Sequence, residues 1–430
     1  MTNNILLKNS NTIDHEGKIK LSQDIFIENG KIAQIGILEN KEADETIDCT
    51  NFYITPGLVN LHTHSGMNIF KGIAEDVCIE KWFNDYIWPY ESKMTPKESY
   101  WGTMLAIYEM IDNGVTAFAD HYFNAEMIVK AAKETGIRLD LAITLFGMNN
   151  NFNTQLENAS SLISKENGNS ELIKVRMGPH SPYTCSPEQL KIINSAAKNL
   201  DVGIHIHISE TEQQVKDSIK NYNLSPLQVL KESGGLDLPH ILAHALWITE
   251  EEISLLNENS YIAICPKTYM KLAMGYGNIW KFKNKLPLCI GTDGVVSSNS
   301  MDPIEQARLF ALAGKLNGKN AEDFKLKEIW SILQNGHNAL NFNTGKIKAG
   351  FAADLLLWDL KQVNTAPAHN PLAAIIYSSS KNNIIHSIVN GNFIKKNKQV
   401  LIDKMKLINN THKIAENLIS RGKGISKLIF

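Results

Sequence analysis

From about Pro56 to Asn343, short apolar runs alternate with longer stretches in which apolar residues recur at helical spacing. The handover from the Pro187 to Ala197 stretch to Val202-Gly203-Ile204 is one example. A strand followed by a helix, repeated, predicts a parallel sheet, and about eight repeats in this length favour a closed barrel over an open sheet. The two ends have a different texture. Ile25-Phe26-Ile27 and the run from Lys31 to Ile35 flank Glu28-Asn29-Gly30, and a second Asn-Gly pair, Asn390-Gly391, separates Ser387-Ile388-Val389 from Phe393. Asn-Gly between apolar runs predicts a tight hairpin, because the turn needs positive φ. The expected fold is α/β: a (β/α)₈ TIM-type barrel over residues 56–345 with a small β-sandwich domain built from both chain ends. Residues 1–55 and 346–430 would supply that domain, with a helical segment over 403–430.

Composition is compatible with this division. A chain of 430 residues with 43% hydrophobic content exceeds the ~250 to 300 residues at which one core stops growing. Lys and Arg (43) nearly balance Asp and Glu (45), so no net field draws in nucleic acid or an anionic membrane. A small-molecule substrate is the expected partner, with neither nucleic acid nor membrane, and self-association into a homo-oligomer stays open. Cys49, Cys78, Cys185, Cys265 and Cys289 are odd in number and contain no C-x-x-C pair. That argues against a disulfide framework and a cysteine metal cluster, and fits a reducing compartment. No apolar leader segment follows Met1 and no run of about 18 apolar residues occurs, so the expected location is cytoplasmic.

Several of the apolar runs end in residues that bind metals. Leu58-Val59-Asn60-Leu61-His62-Thr63-His64 closes on His-x-His, a spacing that puts both imidazoles on one face of a strand. A second such pair follows in Ile204-His205-Ile206-His207-Ile208-Ser209-Glu210. Ile241-Leu242-Ala243-His244 and Leu288-Cys289-Ile290-Gly291-Thr292-Asp293 end two later runs. In a barrel of this kind the C-terminal ends of the strands carry the active site. Imidazole nitrogens with one carboxylate suit a divalent ion, Zn²⁺ first and Fe²⁺ or Mn²⁺ less selectively. Spacing alone does not choose between His205 and His207. Glu210 also sits where a helix start is expected, so helix capping competes with chemistry for its side chain.

Taken together, Pro56-Gly57-Leu58-Val59-Asn60-Leu61-His62-Thr63-His64, His207-x-x-Glu210, His244 and Gly291-Thr292-Asp293-Gly294 resemble the amidohydrolase superfamily. Within it the likeness is to the 5′-methylthioadenosine and S-adenosylhomocysteine deaminases, near the guanine and cytosine deaminases and the triazine hydrolases. The resemblance implies that His62, His64, His207 and Asp293 bind one metal ion, leaving His205 without a ligand role. It further implies that Asp293 accepts a proton from the attacking water and that His244 orients that water. Glu210 would protonate a ring nitrogen and then the departing ammonia. Relatives with two metals carry a bridging modified lysine, and the surroundings of Lys174 do not match that motif.

On the substrate side the resemblance points to Trp82 packing on a nucleoside, Glu91 receiving ribose hydroxyls, His180 contacting a ring nitrogen, and Ser297 as a small polar contact. One segment departs from the pattern. Nucleoside deaminases usually read Asn-Pro-x-Ser-Asn-x-Lys-Leu, where this chain reads Cys265-Pro266-Lys267-Thr268-Tyr269-Met270-Lys271-Leu272. Lys267 and Tyr269 are therefore expected to alter the pocket wall. The alternatives are a deaminase of a free base or pterin, a triazine-type chlorohydrolase, and a non-catalytic barrel scaffold. The scaffold should have lost ligands, and none of the expected ones is missing.

Overall fold

The computed structural model describes residues 4–148, 151–422 and 424–425. Eight strands of the middle region pair in sequence order, all parallel: β1 (Leu58–Thr63), β2 (Val115–Tyr122), β3 (Arg138–Leu145), β4 (Ile173–Pro179), β5 (Ile204–Ile208), β6 (His240–His244), β7 (Ser260–Ile264) and β8 (Leu288–Ile290). The ends of the sheet meet. Just beyond β8, the N–H groups of Thr292 and Asp293 donate to the His62 carbonyl at 3.1 and 2.9 Å. This is the closed barrel that the alternation predicted.

β2 and β3 are buried at every position, as parallel strands between an interior and an outer helical layer must be. Helices start where the sequence caps them. Thr95, Ser186 and Thr211 each accept a hydrogen bond from the backbone three residues on, and the Glu98, Gln189 and Gln214 side chains accept one from the backbone N–H of the cap. Inside the barrel, Val59, Leu61, Ala117, Ala119, Ile241, Ala263 and Cys289 pack together with Leu340 and Phe342 into a separate small core. The facing strands contribute polar groups instead: Arg176 of β4 donates to Asp140 of β3 at 2.6 Å, both buried. A buried pair of this kind is satisfied rather than strongly stabilising. Lys174 donates to the carbonyls of Leu340 and Asn341 at 2.9 and 2.7 Å, away from the strand ends that carry the histidines.

The chain ends form one nine-stranded mixed sheet. Phe52–Pro56 from the first part pairs antiparallel with Leu355–Asp359 from the second, so neither end completes the sheet alone. The two Asn-Gly hairpins are present, between Ile19–Glu28 and Lys31–Gly36 and between Ile384–Val389 and Asn392–Lys396. Sheet and barrel are locked by a buried pair, Arg138 with Asp354 at 2.7 and 2.9 Å. Lys404–Gly422 is helical, whereas Asp403, Gly424 and Ile425 of the expected helical segment are not; residues 423 and 426–430 lie outside the described residues. No helix among the described residues is long and apolar enough to cross a membrane.

Candidate metal centre and active site

Four barrel strands deliver imidazoles or a carboxylate to one rim. His62 is the last residue but one of β1 and His64 follows the strand; His207 lies on β5, His244 ends β6, and Asp293 follows β8. His64 Nε2 and His62 Nε2 stand 3.3 and 3.6 Å from Asp293 Oδ1, and His207 Nε2 stands 3.3 Å from His64 Nε2. Donor atoms of His62, His64 and His207, and again of His62, His244 and Asp293, lie within 4.8 Å of one another. Residues separated by more than 200 positions thus converge because the barrel closes between β1 and β8.

The backbone bends sharply where these side chains leave the strands. Ser209, His244, Ala245 and Asp293 all have positive φ, at 45°, 71°, 46° and 60°. Left-handed conformations cost such residues energy, and they cluster here at the rim, where the turns aim side chains at a common centre.

Hydrogen bonds decide which ring nitrogen faces that centre. His64 Nδ1 donates to the His121 carbonyl at 2.7 Å, and His207 Nδ1 donates to the His180 carbonyl at 2.7 Å. A carbonyl only accepts, so in both rings the lone pair is on Nε2, aimed at the cluster. His62 Nδ1 lies 2.9 Å from His205 Nε2. His205 thus faces His62 from below, and His62 Nε2 is left buried with no protein partner among the described residues. An orphaned buried nitrogen beside two lone pairs and a carboxylate is a donor set for a cation.

Electrostatics point the same way. Burial holds His62 and His207 well below the usual imidazole range, with neighbouring imidazoles adding to it. Burial also opposes a charge on His64, yet the Asp293 carboxylate outweighs it and pushes His64 up to about 9. Asp293, despite its own burial, is held well below the carboxylate range by His64 and His244. Without a cation the Asp293 carboxylate favours a proton on His64 Nε2, 3.3 Å away; a bound cation would take that proton's place and free the lone pair.

Glu210 does not cap the following helix; Thr211 does, with Gln214 completing the box. Glu210 Oε1 instead lies 3.7 Å from His244 Nε2, and its Oε2 lies 3.5 Å from Gln214 Nε2. Glu91 is buried and accepts from the Tyr122 hydroxyl at 2.7 Å. Burial pushes its carboxyl up to about 7, against the pull of that bond. It lines a cavity of about 820 Å³ that runs past Thr144 and Phe146 to Lys165. His180 packs its ring 4.8 Å from that of His207 and 4.7 Å from that of Phe146, with Nδ1 on Thr184 Oγ1 at 3.0 Å.

Three residues of the expected pocket make bonds within the protein. The Ser297 hydroxyl donates to Asp293 Oδ2 at 3.0 Å, which steadies the carboxylate. Lys267 turns from the pocket to Glu305, 2.8 Å away, because the helix Pro303–Gly318 offers it a carboxylate. Tyr269 is buried, accepts from the Cys265 N–H at 2.9 Å and sets its ring 5.8 Å from His244, which makes it a support for that histidine. Trp82 opens the turn Trp82–Ile87, with its indole N–H buried and unpartnered among the described residues and its ring beside Phe83.

Sequence reading passed over the end of β2. Asp120 accepts from Thr63 Oγ1 at 2.7 Å and from the Ser65 N–H at 2.8 Å, holding the turn around His64. His121 supplies the carbonyl for His64 and Tyr122 holds Glu91. The signal was there: Ala117-Phe118-Ala119-Asp120-His121-Tyr122 is also an apolar run that ends in an acid and a histidine.

A closed parallel barrel with imidazoles and one carboxylate gathered at its C-terminal rim defines a metal-binding barrel of the hydrolytic type. The chain belongs to the amidohydrolase family, whose family model matches residues 53–394. It is 37% identical to a 5-methylthioadenosine/S-adenosylhomocysteine deaminase of Pyrococcus horikoshii, over 90% of this chain and 93% of that one. It is 36% identical to a 5′-deoxyadenosine deaminase of Methanosphaera stadtmanae, over 93% and 95%. Among solved structures, an adenosine deaminase from Xanthomonas campestris with bound zinc superposes with a TM-score of 0.92 at 26% identity, covering 97% and 98% of the two chains.

Proposed function

We propose that this chain is a hydrolytic deaminase that replaces the exocyclic amino group of a purine nucleoside of the 5′-methylthioadenosine or S-adenosylhomocysteine type with oxygen from water, releasing ammonia. The observation that carries the reading is the set of donors around His62 Nε2, with a glutamate beside it that helix capping leaves free. The names of the relatives support the substrate class. His62, His64, His207 and Asp293 are the residues that would hold one divalent ion. Zinc suits three imidazoles and a carboxylate, and zinc is the ion in the Xanthomonas structure. Such an ion, when bound, lowers the pKa of water from about 16 to about 7 and so supplies the nucleophile at neutral pH.

The chain's own residues do the rest. Asp293 is kept ionised and oriented by Ser297 and by the Gly294 N–H at 2.8 Å, and takes a proton from the attacking water. His244, aimed by its left-handed backbone, orients that water and steadies the charge that develops on attack. Glu210 delivers a proton to the ring nitrogen and then to the departing amine. Glu91 receives the ribose hydroxyls, His180 meets a ring nitrogen, and Trp82 covers the nucleoside.

Ammonia release from 5′-methylthioadenosine, S-adenosylhomocysteine, adenosine, guanine, cytosine and a pterin, with chloride release from a chlorotriazine, tests this reading. Hydrogen bonds to a buried carboxylate are worth about 1.5 to 3 kcal/mol, so nucleosides should exceed free bases roughly ten- to a hundredfold in kcat/KM. Turnover of a free base or triazine alone would overturn the nucleoside reading. A protein that retains no added divalent metal and turns over nothing would be the scaffold.

A further inference from the structure

A second cavity, of about 220 Å³, reaches the site at His207 and shares no lining residue with the cavity at Glu91. Its inner end is formed by His207 and Ser209 and its outer end by Asp217, Asn221 and Tyr222, exposed residues of the helix Glu212–Tyr222. It is smaller than the ~300 Å³ at which pockets for drug-sized ligands begin. Water or ammonia, each needing about 30 Å³, would fit in single file.

The lining is polar where a small polar molecule needs partners. The Ser209 hydroxyl is buried without a partner among the described residues, at a residue 2% exposed. An unsatisfied buried hydroxyl costs energy unless something visits it. Gln214 lines the same cavity and reaches Glu210 Oε2, tying the proton-delivering carboxyl to the passage. The Asp217 carboxylate waits at the outer end. The larger cavity, by contrast, holds Glu91, Thr144 and Phe146 in its lining and none of the metal-ligand candidates, so on the deaminase reading it takes the ribose end of the nucleoside.

We infer that the cavity between His207 and Asp217 is a separate passage through which ammonia leaves, and water enters, while the nucleoside is still bound. This rests on the deaminase reading. In each turnover water attacks the ring carbon, a C–O bond forms and the C–N bond breaks. One water proton ends on the ring nitrogen and the other on the leaving NH₂, giving NH₃. One water-sized molecule therefore goes in and one comes out, and the amine departs on the Glu210 side, where the passage begins. Ammonia that takes up a proton becomes a cation and is drawn outward by Asp217.

Asn221→Trp tests the passage, since Asn221 is exposed and its replacement plugs the mouth without entering the core. Wild type is assayed first on the substrate panel; no ammonia from any substrate sinks the deaminase reading, not the passage. If wild type releases ammonia, the expected result for Asn221→Trp is a kcat lower by at least about fivefold with kcat/KM unchanged. Stopped-flow absorbance should then show a first-turnover burst at the wild-type rate. Loss of kcat/KM without a burst, or an unchanged kcat, overturns the inference. A readout without turnover is water-proton relaxation in the Mn²⁺-loaded protein with the deaminated nucleoside bound. Slower water exchange in Asn221→Trp is expected, and equal exchange overturns the passage.

Discussion

Replacing Glu91 by glutamine probes the site through stability as well as rate. Glu91 is 3% exposed, and burial pushes its carboxyl from the usual 4.5 up to about 7 even though Tyr122 donates to it. Below about pH 4.5 the group is protonated folded or unfolded and costs nothing. Between pH 4.5 and 7 the folded chain holds the extra proton, so stability falls as pH rises; above about 7 the ionised carboxylate carries the full cost. At about 1.4 kcal/mol per pH unit, that cost reaches about 3 kcal/mol. Glutamine keeps a carbonyl for the Tyr122 hydroxyl and has no charge to bury. Glu91→Gln should therefore gain about 3 kcal/mol over wild type at pH 8 but less than about 1 kcal/mol at pH 5. At the same time KM for nucleosides should rise while free bases are little affected. Denaturant midpoints of both proteins at the two pH values measure the first effect. No gain at pH 8, or the same gain at pH 5, would show that Glu91 is not held as an unfavourable buried acid.

Glu210→Gln should retain metal by elemental analysis and lose at least about a hundredfold in kcat; near-normal turnover would remove Glu210 from the chemistry. His207→Ala should abolish stoichiometric metal, whereas His205→Ala, which removes only the partner of His62 Nδ1, should weaken metal affinity by about ten- to a hundredfold. A chelator competition assay ranks the two, and the reverse order would exchange their roles. Lys267→Met should leave kcat/KM unchanged and alter stability by less than about 1 kcal/mol, because its bond to Glu305 is partly exposed; an altered substrate preference would return Lys267 to the pocket wall. Arg138→Met, which strands Asp354 in a buried setting, should cost about 3 to 5 kcal/mol with little change in kcat of the folded fraction.

Much of the site is legible without coordinates because strand ends announce themselves locally. His62-x-His64, His207, His244 and Asp293 each close an apolar run, and in a barrel such ends share one rim. The division of labour within that rim is a different matter. Glu210 stands where a helix start is expected, and only the fold shows that Thr211 takes the cap and leaves Glu210 beside His244. Ser297 reads as a free hydroxyl until Asp293 is seen above it, and Lys267 reads as pocket lining until Glu305 is found beside it.

The amino-acid order by itself determined what short-range periodicity encodes: strands, helices, caps, the two Asn-Gly turns and the side chains able to bind a cation. Tertiary structure alone decided partnership. Closure between β1 and β8 brings Asp293 to His62 across more than 200 residues, and left-handed turns at Ser209, His244 and Asp293 aim their side chains. Carbonyls from β2 and the end of β4 choose the ring nitrogens of His64 and His207. The physical reason is range. Periodicity is written in a few adjacent residues, whereas a hydrogen bond across the barrel exists only once every strand between its partners has taken its place.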